Sequence, residues 1–267
     1  MVGESFNKDY TNYWKEAVNK SIDGTVIADK SIAKTFLDKI NISKDLISLD
    51  LGCSFGRMYD LLDLYSSEVH GVDIDKYAIK EAKKYNYKSL QVSSSTSINH
   101  SNNSFQLIFC WAVFEILDHV KTLVEMNRLL SIGGHVLLTA KNDYYDNDDL
   151  LAFNAEKNAF LKEFPNSFIN LPLMIKNIQF FGFTIENLFI FKKRGDLGLG
   201  NYIEIDNIDS FEIKGYEFLL VLKKIKNIIS YPQKNDFTAQ FSKTSYLKAI
   251  NEGFSSPEKL FRSIGYE

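Results

Sequence analysis

Two short stretches of this chain hold residue types suited to gripping a nucleoside. From Leu49 to Arg57 the sequence reads Leu-Asp-Leu-Gly-Cys-Ser-Phe-Gly-Arg, an apolar run that ends in a glycine turn. Glycines let a backbone approach a ligand closely, and a helix starting after the turn presents free N–H groups. Asp73 closes the run Val69-His70-Gly71-Val72-Asp73, about 20 residues beyond Gly52, where an acid after a second strand meets ribose hydroxyls. A carboxylate is a two-oxygen acceptor and suits a vicinal diol. Each element has a plainer use: the turn can join strand to helix with no ligand, and Asp73 can cap a helix, a role for which Asp75 competes. Together they point to a nucleoside-bearing ligand at the switch point of an open sheet.

Groups able to move a proton are few. His119 opens a helix after the fourth apolar strand, and Glu115 lies in the loop before it. Tyr144 and Tyr145 follow the fifth strand, on the edge that lines the crevice in open α/β sheets. His135 begins a buried strand and reads as structural, and His100 sits in a Ser/Asn loop that reads as solvated. No metal site is expected. The runs Lys192-Lys193-Arg194 and Lys223-Lys224-Ile225-Lys226 read as strand ends in solvent, with an anionic-substrate patch as the sharper alternative.

The elements that must hold these residues alternate. Leu46–Leu51, Glu68–Asp73, Leu90–Val92, Phe105–Trp111 and His135–Ala140 read as strands. Helices are expected over Ser31–Ile40, over Met58–Leu64, and after Asp75, where Ala78, Ile79, Ala82 and Tyr85 share a face. Another carries Val120, Leu123, Val124 and Leu130 on one face, with Gly133-Gly134 as its terminator. This rhythm means a doubly wound parallel sheet. Past Asn142 it breaks: Asp143–Leu150 reads as a surface loop, Leu173–Phe181 as a helix, Phe183–Phe191 as a strand, Gly195–Gly200 as a turn-rich loop and Glu217–Leu222 as a strand. The tail after Lys226 has weaker, helix-compatible periodicity. Near the start, Phe6, Tyr10, Tyr13 and Trp14 fall at helical spacing.

The chain has 267 residues, 45% hydrophobic and 24% charged, enough for a soluble α/β domain with its own core. A formal net charge of −3 argues against broad nucleic-acid binding. Cys53 and Cys110 form no paired pattern, which fits a reducing compartment. The longest apolar run, Leu107 to Phe114, is too short for a membrane span, and a cytoplasmic location is expected.

Four stretches, in order, resemble class I S-adenosylmethionine-dependent methyltransferases. Leu49–Arg57 is similar to their first motif, and Gly71-Val72-Asp73-Ile74-Asp75 to their ribose-binding strand end. Phe105–Cys110 with Val113–Leu117 resembles the fourth strand and its loop, and Glu125–Gly134 the helix and turn before the fifth strand. The resemblance implies a mostly parallel seven-stranded Rossmann-like sheet whose last strand is antiparallel, with S-adenosylmethionine as cofactor. Asp50, Gly52, Cys53, Ser54 and Gly56 would surround its methionine part, and Asp73 would hold the ribose with Ile74 against the adenine. Trp111 and Ala112 would flank the methionine, Ser94 and Ser95 would reach the adenine amino group, and Tyr13 would belong to a helical cover. Ser54 stands where the family has its middle glycine, and Ser94 where it often has Asp.

The expected organisation is a helical cover over 1–30, a methyltransferase domain over 31–224 with a cofactor half (31–142) and a substrate-side half (143–224), and an extension over 225–267. The expected reaction moves a methyl group to an oxygen, or less readily a nitrogen, of a small molecule. A sugar or phosphate-linked precursor of a surface polysaccharide is the analogy-based candidate. Two other readings stand beside it: an NAD(P)-dependent oxidoreductase, for which the third glycine is misplaced, and a non-catalytic cofactor-binding module.

Overall fold

A computed structural model describes residues 25–40, 45–144, 146, 148–161, 166–206, 214–228 and 232–239. Tyr10, Tyr13, Trp14 and Tyr145, and most of the 225–267 segment, lie outside the described residues.

The centre is an eight-stranded sheet: β1 (Leu46–Leu51), β2 (Ser66–Asp73), β3 (Ser89–Val92), β4 (Phe105–Cys110), β5 (Leu130–Lys141), β6 (Phe183–Phe191), β7 (Ile203–Glu204) and β8 (Glu217–Lys224). Their order is β3-β2-β1-β4-β5-β8-β6-β7. The first five strands pair in parallel, while β8 runs antiparallel to both β5 and β6. The final long strand is therefore the antiparallel one, as the resemblance implies. The eighth strand is the two-residue β7 on the outer edge of β6. Strand order reverses between β1 and β4, which opens the crevice where such sheets bind ligands.

Strand alternation splits the core in two. Leu107, Phe109 and Leu137 face one side, packed with Phe36 of helix α1 (Thr25–Lys39) and with Leu61 and Leu62 of the short α2 (Tyr59–Leu62). Ile108, Cys110, Val136 and Leu138 face the other, against Leu123 and Met126 of α4 (His119–Leu129). Between them in sequence, α3 (Lys76–Ala82) is capped by the Asp75 side chain, which accepts from the amides of Tyr77 and Ala78. Both faces of the central strands are covered, so their sequences are near-continuous apolar runs.

The structure corrects several expectations. Gly133-Gly134 does not terminate a helix: α4 ends at Leu129, and the glycines lie inside the twelve-residue β5. Close packing favours the glycine at 134, where a Cβ would sit 2.9 Å from the Gln106 carbonyl oxygen. Met58–Leu64 shrinks to the single turn of α2. The expected loop ends at Leu150, where the unanticipated helix α5 (Leu150–Leu161) begins. Its first turn is held by Asp149, whose carboxylate accepts from the amides of Ala152 and Arg194. Helix α6 (Leu171–Asn177) and a following 3-10 turn replace the single helix over Leu173–Phe181, and a one-turn helix α7 (Asp196–Leu199) sits in the turn-rich loop.

Lys224 is the largest departure. It is 0% exposed, and its ammonium donates to the carbonyls of Asn127 and Leu130 and to Asn103 Oδ1. It closes the C-terminal end of α4, whose last carbonyls lack intrahelical partners. Burial pushes its pKa down. His100 is half-buried, edge-on to the rings of His70 and Phe105. His135 pairs with Glu186 at 2.8 Å. Among the described residues no helix is long and apolar enough to cross a membrane.

Candidate active site at the carboxyl edge of the sheet

The turn after β1 is left-handed at three positions, with φ of 77° at Gly52, 49° at Ser54 and 84° at Gly56. Serine there is unusual, because a side chain crowds the backbone in this region. The contact that holds it is local: the Ser54 amide donates to Asp73 Oδ2 at 2.9 Å. Asp73 Oδ1 accepts from the Asp75 amide at 2.8 Å. The acid after β2 thus stitches the glycine turn to the start of α3 and keeps a second lone pair on each oxygen. Burial raises its pKa against the pull of those amides. Ile74 beside it is 45% exposed, an apolar surface next to a carboxylate.

Asp50 lies beneath the turn, 3% exposed, and accepts from the Tyr87 hydroxyl at 2.7 Å. Burial carries its pKa up to about 7, while Tyr87 and Arg57 pull the other way. The Ser54 hydroxyl is buried and has no hydrogen-bond partner among the described residues. Cys53 is buried, and burial raises its thiol pKa.

Past β4, the Trp111 ring is 3% exposed and stacks on Phe109 with planes 2° apart, so it belongs to the core. What Trp111 offers the crevice is backbone: its carbonyl accepts from Arg57 Nη2 at 3.4 Å. Ala112 is exposed, with φ of 55° and its amide bonded to Thr139 Oγ1 at 2.7 Å. Ser94 is exposed and bonded to Thr96, and Ser95 is half-buried and bonded to Thr122.

The three proton-moving candidates separate. His119 is 2% exposed, with its ring stacked between Phe114 at 4.9 Å and Phe237 at 6.0 Å and its Nδ1 3.0 Å from Thr238 Oγ1. Burial carries its pKa down to about 4, so it is a neutral, packed imidazole at pH 7. Tyr144 is half-buried with its hydroxyl 3.5 Å from Asp146. Glu115 is buried and its Oε2 has no hydrogen-bond partner among the described residues.

Sequence reading missed the network beside Glu115. Lys141, last in β5, pairs through Nζ with Glu156 Oε1 of α5 at 2.9 Å. Glu156 Oε2 accepts from Asn166 at 2.6 Å, and Tyr216 donates its hydroxyl to Glu156. Arg194 Nη1 donates to the Tyr216 oxygen at 3.2 Å. Glu217 stands opposite Lys141 in the β5–β8 register, and burial carries its pKa up to about 7. These residues span 141 to 217 in sequence, so no local spacing announces them. The available signal was two charged residues, Lys141 and Glu217, placed at strand ends that face the crevice.

The residues at the glycine turn fit a cofactor with a ribose, an adenine and a charged amino-acid tail. Asp73 has lone pairs that could accept from ribose hydroxyls, Ile74 is an exposed apolar face that an adenine could cover, and the left-handed turn leaves main-chain groups that such a tail could meet. The orphaned Ser54 hydroxyl is a further polar atom in that turn.

Residues 49–138 match a family model described as a methyltransferase domain. A curated relative, the uncharacterized protein MJ0638 of Methanocaldococcus jannaschii, is 26% identical over 179 residues, covering 67% of this chain and 71% of its own. Among solved structures, an S-adenosylmethionine-dependent methyltransferase from Mesorhizobium loti aligns with a TM-score of 0.51 at 15% identity, over 68% of this chain and 92% of the other. The methyltransferase in a complex with the Haloferax volcanii Trm112 activator aligns with a TM-score of 0.57 at 15% identity, over 79% and 96%. At these identities the structural likeness is one of fold.

Proposed function

We propose that this chain, a class I S-adenosylmethionine-dependent methyltransferase that takes S-adenosylmethionine as its cofactor, methylates a hydroxyl oxygen of a small-molecule acceptor. The observation that carries the oxygen assignment is the placement of two carboxyl groups at the carboxyl edge of the sheet, the buried Glu115 after β4 and the half-buried Glu217 at the start of β8. The cofactor supplies an electrophilic methyl group whose thioether leaving group needs no acid. The protein then has to orient the acceptor, exclude water and receive a proton. A hydroxyl benefits from a base, and a carboxylate at this edge can serve as one.

In this reading Asp73 and Ile74 hold the nucleoside, Asp50, Gly52, Cys53, Ser54 and Gly56 surround the amino-acid tail, and Ser94, Ser95 and Ala112 border the cofactor. Tyr144 borders the acceptor. A polysaccharide sugar precursor keeps its place as a candidate acceptor. The test pairs isothermal titration of S-adenosylhomocysteine with detection of S-adenosylhomocysteine released from S-adenosylmethionine across an acceptor panel. Cofactor binding with turnover on alcohols is expected. No binding at millimolar cofactor, or turnover on amines alone, would overturn the proposal.

A further inference from the structure

Beneath the carboxyl edge of the sheet, between the glycine turn and the end of β5, lies a largely buried ionic group whose members are almost all satisfied, with Glu115 as the exception. Lys141, Glu156, Asn166, Tyr216 and Arg194 are bonded to one another as described above. Glu115 is 9% exposed and its Oε2 has no partner among the described residues. A buried acceptor without a donor forfeits its hydration with nothing in return, so in native proteins such an atom calls for an explanation. A bound hydroxyl would be its donor.

The position agrees. Glu115 follows the carboxyl end of β4 and lies within electrostatic reach of Arg57, in the cofactor turn, and of Lys141, at the end of β5. It therefore stands between the residues assigned to the cofactor and the network on the substrate side. Resting on the methyltransferase reading above, we propose that Glu115 is the proton acceptor of the transfer, and that the network around it is a subsite for an uncharged hydroxyl compound: an alcohol, polyol or phenol.

Charge balance sets the acceptor class. Arg57, Lys141 and Arg194 lie among Glu115, Glu156, Glu217 and Asp50, and with Asp50 and Glu217 both carried up to about 7 by burial the cluster holds cations and carboxylates in near balance at neutral pH. An ammonium would enter beside Lys141 and Arg57, and a phosphate would enter beside the glutamates. Desolvating either without a partner is costly, whereas a neutral hydroxyl leaves the balance intact. Burial pushes the Glu115 pKa up, Lys141 and Arg57 pull it down and Glu156 adds to the rise, while Glu217 and the Cys110 thiol also feel its charge. A carboxylate raised in this way is a stronger base than one in water.

The step balances. The acceptor oxygen bonds to the methyl carbon as the sulfur–methyl bond breaks, with that electron pair staying on sulfur. The hydroxyl proton passes to Glu115 Oε2. The products are a methyl ether, a neutral thioether and a protonated Glu115, so the sulfonium and carboxylate charges disappear together.

The experiment uses the full chain and Glu115→Gln, an isosteric change. Methyl α-glucoside and catechol serve as neutral hydroxyl probes, ethanolamine as the cationic probe and glucose 6-phosphate as the anionic one. Turnover is expected on a neutral probe, falling on the order of 10²–10⁴-fold in kcat in the variant with KM little changed. In the wild type kcat/KM should rise with pH as Glu115 ionises, and that limb should vanish in the variant. Independently of turnover, carbon NMR of glutamate-labelled protein should show a carboxyl signal titrating above the usual carboxylate range, absent from Glu115→Gln. Both proteins should bind S-adenosylhomocysteine equally. Equal binding with an undiminished variant, an ordinary Glu115 titration, or methylation confined to ethanolamine or glucose 6-phosphate overturns the inference. Loss of S-adenosylhomocysteine binding by the wild type instead overturns the reading beneath it.

Discussion

Acid should unfold this protein partly through one imidazole, and replacing it should remove that part of the response. His119 is sealed between Phe114 and Phe237, and burial takes its pKa from 6.5 to about 4. The folded state binds this proton less readily than the unfolded chain, so the neutral ring contributes stability above pH 6.5 that is lost as pH falls toward 4. At about 1.36 kcal/mol per pH unit the full loss is ~3 kcal/mol, with ~2.5 kcal/mol already gone at pH 4.5. The perturbation is His119→Gln, which cannot titrate and keeps a polar group near Thr238. Urea unfolding of both proteins at pH 7.5 and pH 4.5 gives the four free energies. Carboxyl groups such as Asp50 and Glu217 titrate in both proteins, so their contributions cancel in the difference. The variant should start less stable at pH 7.5 and lose ~2.5 kcal/mol less than the wild type on going to pH 4.5. Parallel losses would refute the claim that His119 is held neutral by burial.

Three further outcomes follow from the same geometry. Asp73→Asn keeps the size of the side chain but removes its charge, and should weaken S-adenosylhomocysteine binding by ~1–3 kcal/mol in isothermal titration, with Asp73→Ala at least as damaging. Tyr87→Phe removes the donor on Asp50 and should move the Asp50 midpoint above its present value of about 7. If ionised Asp50 supports the cofactor tail, affinity rises with pH through that midpoint, and the rise should shift to higher pH in the variant. Lys224→Met strands the buried carbonyls of Asn127 and Leu130 and should cost ~2–4 kcal/mol in chemical denaturation. A neutral result would mean that water replaces the ammonium.

The parallel half was legible because its strands are buried on both faces and read as continuous apolar runs: β1 occupies the range its sequence announces, and β4 ends one residue short of it. Ends decided by tertiary contacts were not legible. Gly133-Gly134 has the composition of a helix terminator, but pairing with β4 extends β5 back through it. Helix α5 was hidden because Asp148 and Asp149 read as loop residues, whereas Asp149 reaches across to the Arg194 amide and starts the helix. Lys224 sits in a basic run that reads as solvated, yet its ammonium closes the end of α4. At the site, the glycine turn and Asp73 carry a spacing that local chain geometry enforces. The Lys141–Glu156–Tyr216–Arg194 network is assembled only by the antiparallel insertion of β8 and the packing of α5, and no periodicity encodes it.

The central claim is that the carboxyl edge of this sheet holds the nucleoside sulfonium. A crystal structure of the chain grown with S-adenosylhomocysteine tests it most directly. The account predicts both ribose hydroxyls within hydrogen-bond distance of Asp73, the adenine against Ile74 and the amino-acid tail over the Gly52–Gly56 turn. The same ligand bound elsewhere on the chain, with the Asp73 carboxylate touching only the Ser54 and Asp75 amides, would contradict it.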